Sequence, residues 1–190
     1  MGLLAVLAAI ALALGYQGPA SSSSKDASPA GMPRAGHHDA FGEPGGAIPD
    51  GTTVFDDHVP GVRRLDPELR NALRRAAGGA AGSGIRLVVD SGWRSPAYQR
   101  RLLREAVAKY GSEAEAARWV ATPNRSAHVS GDAVDIASSG AAWLSEHGAA
   151  YGLCQIYGNE PWHYELRIGA AGGGCPPAYP DPTYDPRMQR

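Results

Sequence analysis

Residues Ser126 to Asp135 read S-A-H-V-S-G-D-A-V-D, and residues Glu160 to Ile168 read E-P-W-H-Y-E-L-R-I. In the first stretch, Ala133 to Ala137 alternates, with Val134 and Ile136 on one face and Ala133 and Asp135 on the other. That predicts a strand. In the second, His163, Glu165 and Arg167 share a face opposite Trp162, Tyr164, Leu166 and Ile168, which predicts another strand. Asp135 and His163 can therefore stand on one face of a small sheet, with His128 reaching the same point from the preceding loop. Two imidazoles and one carboxylate form a zinc set that leaves a fourth position for water. A purely structural site would more often be closed with Cys. Glu160 could act beside that water as a general base, or it could orient the His163 ring. Glu165, on the same strand face as His163, suits the orienting role better. Nitrogen and oxygen ligands also suit other divalent ions, so the residues alone leave the metal open.

Working outward, Asp66-Pro67 is a helix start, with Asp as N-cap and Pro at the first helical position. Leu69, Ala72, Leu73, Ala76 and Ala77 follow at helical spacing, and Gly78-Gly79 is expected to stop the helix. Ile85 to Val89 is a short β-rich run. Ser95-Pro96 opens a second helix carrying Leu102, Leu103, Ala106 and Val107. Ser112-Glu113-Ala114-Glu115 has a capping-box pattern and opens a third, which Pro123-Asn124 breaks. Ala141 to Tyr151 predicts a short helix, and Leu153 to Tyr157 a strand joined to the last one through Gly158-Asn159. Early helices followed by antiparallel strands predict an α+β fold.

The pattern S-x-H-x-x-G-x-A-x-D followed by E-x-W-H resembles the zinc D-alanyl-D-alanine carboxypeptidases of the vancomycin-resistance type (peptidase family M15). Ser91 to Gln99, S-G-W-R-S-P-A-Y-Q, is similar to the same family's S-G-Y-R-S-x-x-x-Q block, with Trp93 where Tyr is usual. The resemblance runs from about Leu65 to Ile168. It implies a small antiparallel sheet flanked by N-terminal helices, with the zinc site on the sheet face. It further implies one Zn2+ per chain on His128, Asp135 and His163, with Glu160 as catalytic base. Arg94 is implied at the substrate, either stabilising the oxyanion or clamping a terminal carboxylate. Gln99, Ser126 and Trp162 fall on matched positions and are carried over as substrate-pocket residues. The implied reaction removes a C-terminal D-alanine from peptidoglycan stem peptides. L,D-carboxypeptidases and wall endopeptidases share the fold type, and a metal-stabilised wall-binding module without turnover is the alternative from another class. Gly131 and Ala133 need no binding role: Gly131 can take a backbone shape closed to other residues.

The chain has 190 residues and a formal net charge of −1, so nothing electrostatic favours nucleic acid. Lys25 and Lys109 are the only lysines among 18 basic residues, a bias that says nothing of function. Leu3 to Leu14 is an apolar run too short for a spanning helix of about 20 residues. It suits a signal-peptide core or short anchor over 1–20, with Gly18-Pro19-Ala20 as a cleavage region, although Met1-Gly2 brings no positive charge. Residues 21–49, rich in Ser, Gly and Pro, read as a flexible linker in which His37-His38 is solvated. The peptidase domain is expected over 50–170, with Asp56-Asp57-His58 in a surface loop. The expected localisation is secreted or wall-associated, and the expected state a monomer. In an exported protein, Cys154 and Cys175 pair by default. The bridge would close a loop worth roughly 3 kcal/mol and pin the tail, 171–190. Because it is remote in sequence from the ligands, its loss should change metal content little.

Overall fold

The computed structural model describes residues 42–189. The expected leader over 1–20 and the His37-His38 pair lie outside that range. In chain order the elements are α1 (Pro60–Arg63), α2 (Pro67–Ala81), β1 (Val89–Ser91), α3 (Pro96–Tyr110), α4 (Glu113–Ala117), α5 (Ala127–Ser130), β2 (Ala133–Ile136), α6 (Ser138–His147), β3 (Leu153–Gln155), β4 (His163–Leu166) and α7 (Ala170–Gly173). The four strands form one antiparallel sheet in the order β1-β2-β4-β3. The architecture is the α+β arrangement expected of the sequence. None of the described helices is long and apolar enough to cross a membrane.

Helix starts follow their caps. The Asp66 carboxylate accepts hydrogen bonds from the backbone N–H groups of Glu68 and Leu69 at 2.9 and 3.0 Å. Ser95 caps α3 through Tyr98 N–H, and Ser112 caps α4 through Glu115 N–H, each at 3.1 Å. Each cap satisfies a donor that the first helical turn leaves unpaired. α2 does not stop at Gly78-Gly79 but continues to Ala81. At Gly79 a Cβ would overlap the Tyr151 hydroxyl and press on the Trp143 ring. That glycine allows two layers to approach; it does not end the helix. α4 is shorter than its pattern suggested, and β1 begins at Val89 where the sequence placed a strand's end. The upstream residues of that run still pair, with Val88 bridged to Thr53.

One face of the sheet meets α2 and α6 across a core of Leu69, Leu73, Val89, Val134, Ile136, Leu144, Leu153 and Tyr164. Tyr164 is fully buried, and its hydroxyl donates to the Ala141 carbonyl at 2.8 Å. Alternation then turns Asp135, His163 and Glu165 to the opposite face.

Both ends of the described chain pack onto the domain. Part of the segment read as linker, from residue 42, is built into the fold: Gly45 O accepts from Ser95 N–H at 2.9 Å, and Ile48 packs against the core. Gly46 sits at φ +101° with its Cα side against the Trp93 carbonyl, where no side chain would fit. At the other end a disulfide joins Cys154 to Cys175. Tyr179 then pairs in parallel with Tyr157, so the tail runs alongside the chain leading to Glu160. Asp56 is tied to Thr53 and Asp57 to Arg74, away from the ligand residues, as expected of a surface loop.

Candidate metal centre

Three elements converge on one point. Asp135 on β2 and His163 on β4 are direct cross-strand partners, so their side chains leave the same face of the sheet. His128 comes from α5, a single turn closed by Gly131 at φ +88°, the left-handed conformation that glycine adopts without strain. His128 Nε2 lies 3.2 Å from His163 Nδ1. Asp135 Oδ1 lies 3.2 Å from His163 Nδ1 and 3.4 Å from His128 Nε2. Ligand bonds of 2.0–2.1 Å in a tetrahedral site would set donor atoms about 3.3 Å apart. The three atoms therefore already stand at the edges such an ion requires. The donor set and its spacing fit zinc, and His128, Asp135 and His163 could hold it. All three are buried, each at most 6% exposed.

Each ligand is oriented by a neighbour. The Gly92 carbonyl is 2.8 Å from His128 Nδ1, which puts the proton on Nδ1 and leaves Nε2 to the centre. Burial, together with the Arg94 charge, lowers the His128 pKa and keeps that ring neutral. Arg94 NH2 donates to Asp135 Oδ2 at 2.8 Å. Burial alone would raise the Asp135 carboxyl, but His128, His163 and Arg94 outweigh it and hold the pKa well below the usual range. His163 Nε2 faces Glu165 Oε1 at 3.3 Å. Burial opposes a charge on His163, yet bonds to Asp135 and Glu165 push it up to about 10. A metal ion entering here must displace that proton.

Glu160 Oε2 stands 3.7 Å from His163 Nδ1, beside the cluster and outside it. Burial, aided by the nearby Asp135 charge, raises its carboxyl to about 7, against the pull of His163 and Arg94. Glu165 faces the far side of the His163 ring, so of the two carboxylates Glu160 is the one beside the converging donor atoms.

Arg94 is buried and held by three partners: Ser91 Oγ at 2.8 Å, Gln99 Oε1 at 3.2 Å and Asp135. Gln99 in turn donates to the Ala121 carbonyl at 2.9 Å. Its amide is spent on holding Arg94, a more indirect place than the pocket position expected of it. Ser126 is buried at the start of α5 and makes no capping bond with its hydroxyl. Trp162 is half-buried, and its carbonyl accepts from Ile136 N–H at 3.0 Å, joining β2 to the turn before β4. Trp93 lies under the Arg64 guanidinium at 4.3 Å.

Sequence reasoning did not find the far side of the centre. Glu165 is gripped by Arg187 and contacted by Arg167, and Arg187 is held by Asp185. The signal available was P-D-P-T-Y-D-P-R, in which Asp181-Pro182 and Asp185-Pro186 repeat the pattern seen at Asp66-Pro67. Each does open a short turn, with Asp181 capping Thr183 N–H and Asp185 capping Arg187 N–H. Nothing in the pattern said where Arg187 would land.

Comparison with known proteins agrees with this geometry. The family model described as VanY, D-alanyl-D-alanine carboxypeptidase, matches residues 62–168. A D-alanyl-D-alanine carboxypeptidase of Enterococcus faecalis (strain ATCC 700802 / V583) is 32% identical over 143 residues, covering 62% of this chain and 53% of the relative. The chain thus spans about half the length of that curated relative. Among solved structures, a mutant of the vancomycin-resistance D,D-pentapeptidase VanY from a VanB-type cassette, in complex with Zn(II), superposes with a TM-score of 0.50 at 30% identity. That match covers 54% of this chain and 72% of the other. VanYB in complex with D-alanine-D-alanine gives a TM-score of 0.52 at 32% identity, covering 56% and 74%. With more than half of its length matched and the three motifs in order around one buried donor cluster, the chain belongs to the VanY family of D-alanyl-D-alanine carboxypeptidases.

Proposed function

We propose that this protein is a zinc-dependent carboxypeptidase that removes the C-terminal D-alanine from peptidoglycan stem peptides. The observation that carries this reading is the trio of donor atoms 3.2–3.4 Å apart, with a buried carboxylate 3.7 Å from one of them. His128, Asp135 and His163 would hold the metal. When bound, zinc supplies a Lewis acid for the scissile carbonyl and lowers the pKa of a water toward 7. Glu160 takes the proton of the attacking water and returns it to the departing amine, roles that suit a buried carboxyl whose affinity for a proton is raised by desolvation. Arg94 has five N–H donors, of which three are engaged, so two remain for the substrate's carbonyl or terminal carboxylate. Ser126 has a hydroxyl free of capping duty for the same end of the peptide. The relative solved with D-alanine-D-alanine supports this substrate class. A disulfide and a wall substrate both support action outside the cytoplasm.

Two measurements test the reading. Mass spectrometry of muropeptides incubated with the zinc-loaded protein should show loss of one alanine from pentapeptides. Glu160→Gln keeps shape but removes the base, so it should retain zinc and fold while turnover falls by at least about 10²-fold. A variant as active as the parent would show that Glu160 is not the base. A parent that binds wall fragments and zinc but cleaves nothing would leave a binding module.

A further inference from the structure

Glu165 is 1% exposed and lies directly behind a ligand, with Oε1 3.3 Å from His163 Nε2. A carboxylate so buried needs compensation, because its desolvation is costly. Arg187 supplies it in fork geometry: NH1 donates to Oε2 at 2.8 Å and NH2 to Oε1 at 3.0 Å. Two parallel bonds fix the plane of the carboxylate as well as its charge. Arg167 reaches Oε2 alone, at 2.9 Å.

The guanidinium is itself fixed. Arg187 Nε lies 2.9 Å from Asp185 Oδ2, and NH2 lies 2.5 Å from the same oxygen. The Tyr157 hydroxyl donates to that oxygen at 3.0 Å. The backbone carrying the pair is anchored on both sides. Cys175 is bonded to Cys154, which stands opposite Glu165 in the β3–β4 register. Gly158 N–H donates to Tyr179 O at 2.7 Å, and Arg118 holds Asp181 at 3.0 Å. All of this tail lies beyond residue 168, where the family match ends.

We infer that Arg187 is a positioning residue for the metal centre: by clamping Glu165 against His163 Nε2, it fixes the ring so that Nδ1 faces the ion. The inference rests on the ligand assignment proposed above. It assigns to a segment outside the family match a part in building the site. Partners behind a ligand typically carry 10–100-fold in metal affinity, and Arg187 acts on that partner.

The test is zinc affinity of the full chain, read by competition with a chromophoric chelator, with the visible spectrum of the cobalt(II)-loaded protein as a second readout. Arg187→Ala should weaken zinc by about 10-fold or more and shift the cobalt bands. Arg187→Lys keeps the charge but loses the fork, so it should fall between. In a Glu165→Gln background, Arg187→Ala should cost little further, since the group it positions has already changed. Asp181→Asn loosens the tail without touching Glu165, so it should lower the melting temperature and cost zinc affinity clearly less than Arg187→Ala does. If Arg187→Ala does not fold, Arg187→Lys carries the comparison, with a several-fold loss expected. Unchanged affinity and an unchanged cobalt spectrum in the folded Arg187 variants would overturn the inference. So would an equal loss with and without Glu165, or an equal loss in Asp181→Asn, either of which would mark a general effect of the tail. A parent that binds no zinc would overturn the ligand assignment, and this inference with it.

Discussion

The two histidines at the centre are supported by opposite means. His128 leans on a neutral group, the Gly92 carbonyl, and stays neutral. His163 sits between two carboxylates, Asp135 and Glu165, and its pKa is driven up. One ring is ready to bind a cation; the other must first lose a proton. The supports also differ in reach. Gly92 and Arg94 lie in one short block, S-G-W-R, and act on His128 and Asp135 directly. The His163 support passes through Glu165 to Arg187 and Asp185, on a stretch held by a disulfide and a parallel backbone pairing. A compact motif builds one half of the site, and a returning tail completes the other.

The largest effect should come from breaking the His128 side. Arg94→Ala leaves Asp135 buried without its cation and removes the donors available to substrate. Turnover of a pentapeptide ending in D-Ala-D-Ala should fall by about 10²-fold or more, and zinc should bind more weakly. If Arg94 serves the substrate's terminal carboxylate, amidating that carboxylate should reproduce the loss in the parent. Arg94→Ala with full activity would remove Arg94 from the site's chemistry.

A smaller effect sharpens the contrast in protonation. His163 is protonated at neutral pH and zinc displaces that proton, so affinity should rise with pH. The gain should be about tenfold per unit while the ring remains protonated in the free protein, up to its pKa of about 10. Titration calorimetry in buffers of differing ionisation enthalpy counts the released proton. Glu165→Gln should lower the His163 pKa and so move the pH at which the slope flattens down from about 10, while Asp135 still favours the proton. A flattening point unmoved by Glu165→Gln would show that Glu165 does not help to hold the proton on His163.

The smallest effect on the metal is expected at the bridge. Replacing both cysteines with serine should lower stability by about 3 kcal/mol, seen in the denaturation midpoint. Zinc content should stay near one per chain, as the sequence led us to expect. Its affinity should drop by less than in Arg187→Ala, because Tyr179, Asp181 and Asp185 still hold the tail. A loss exceeding that of Arg187→Ala would make the bridge the principal brace on this side.

The ligand half was legible because its information is local. Alternation in A-V-D-I and H-Y-E-L assigns faces, and a one-residue slip would turn every side chain of the strand to the opposite face. Glu165 was legible as a ring-orienting partner for the same reason. Gln99 was not: its spacing placed it near the site, but only tertiary packing decided that its amide would hold Arg94. Gly79 misled because local propensity treats glycine as a breaker, whereas contact with Tyr151 required a residue without a Cβ. The tail was illegible beyond its turns. A charged group at long sequence separation announces no partner, and Gly172 to Pro177 shows no apolar periodicity from which to infer docking.

The packing of Gly45 and Gly46 has a mechanical consequence. The Gly45 carbonyl bonds the Ser95 amide, and Gly46 lies against the Trp93 carbonyl, so the chain enters the domain on the loop that carries Arg94. Tension applied ahead of residue 42 would reach that loop before it reached the sheet. Arg94 bonds Asp135 directly, so a pull along the backbone there would be passed to that carboxylate through a single side-chain contact.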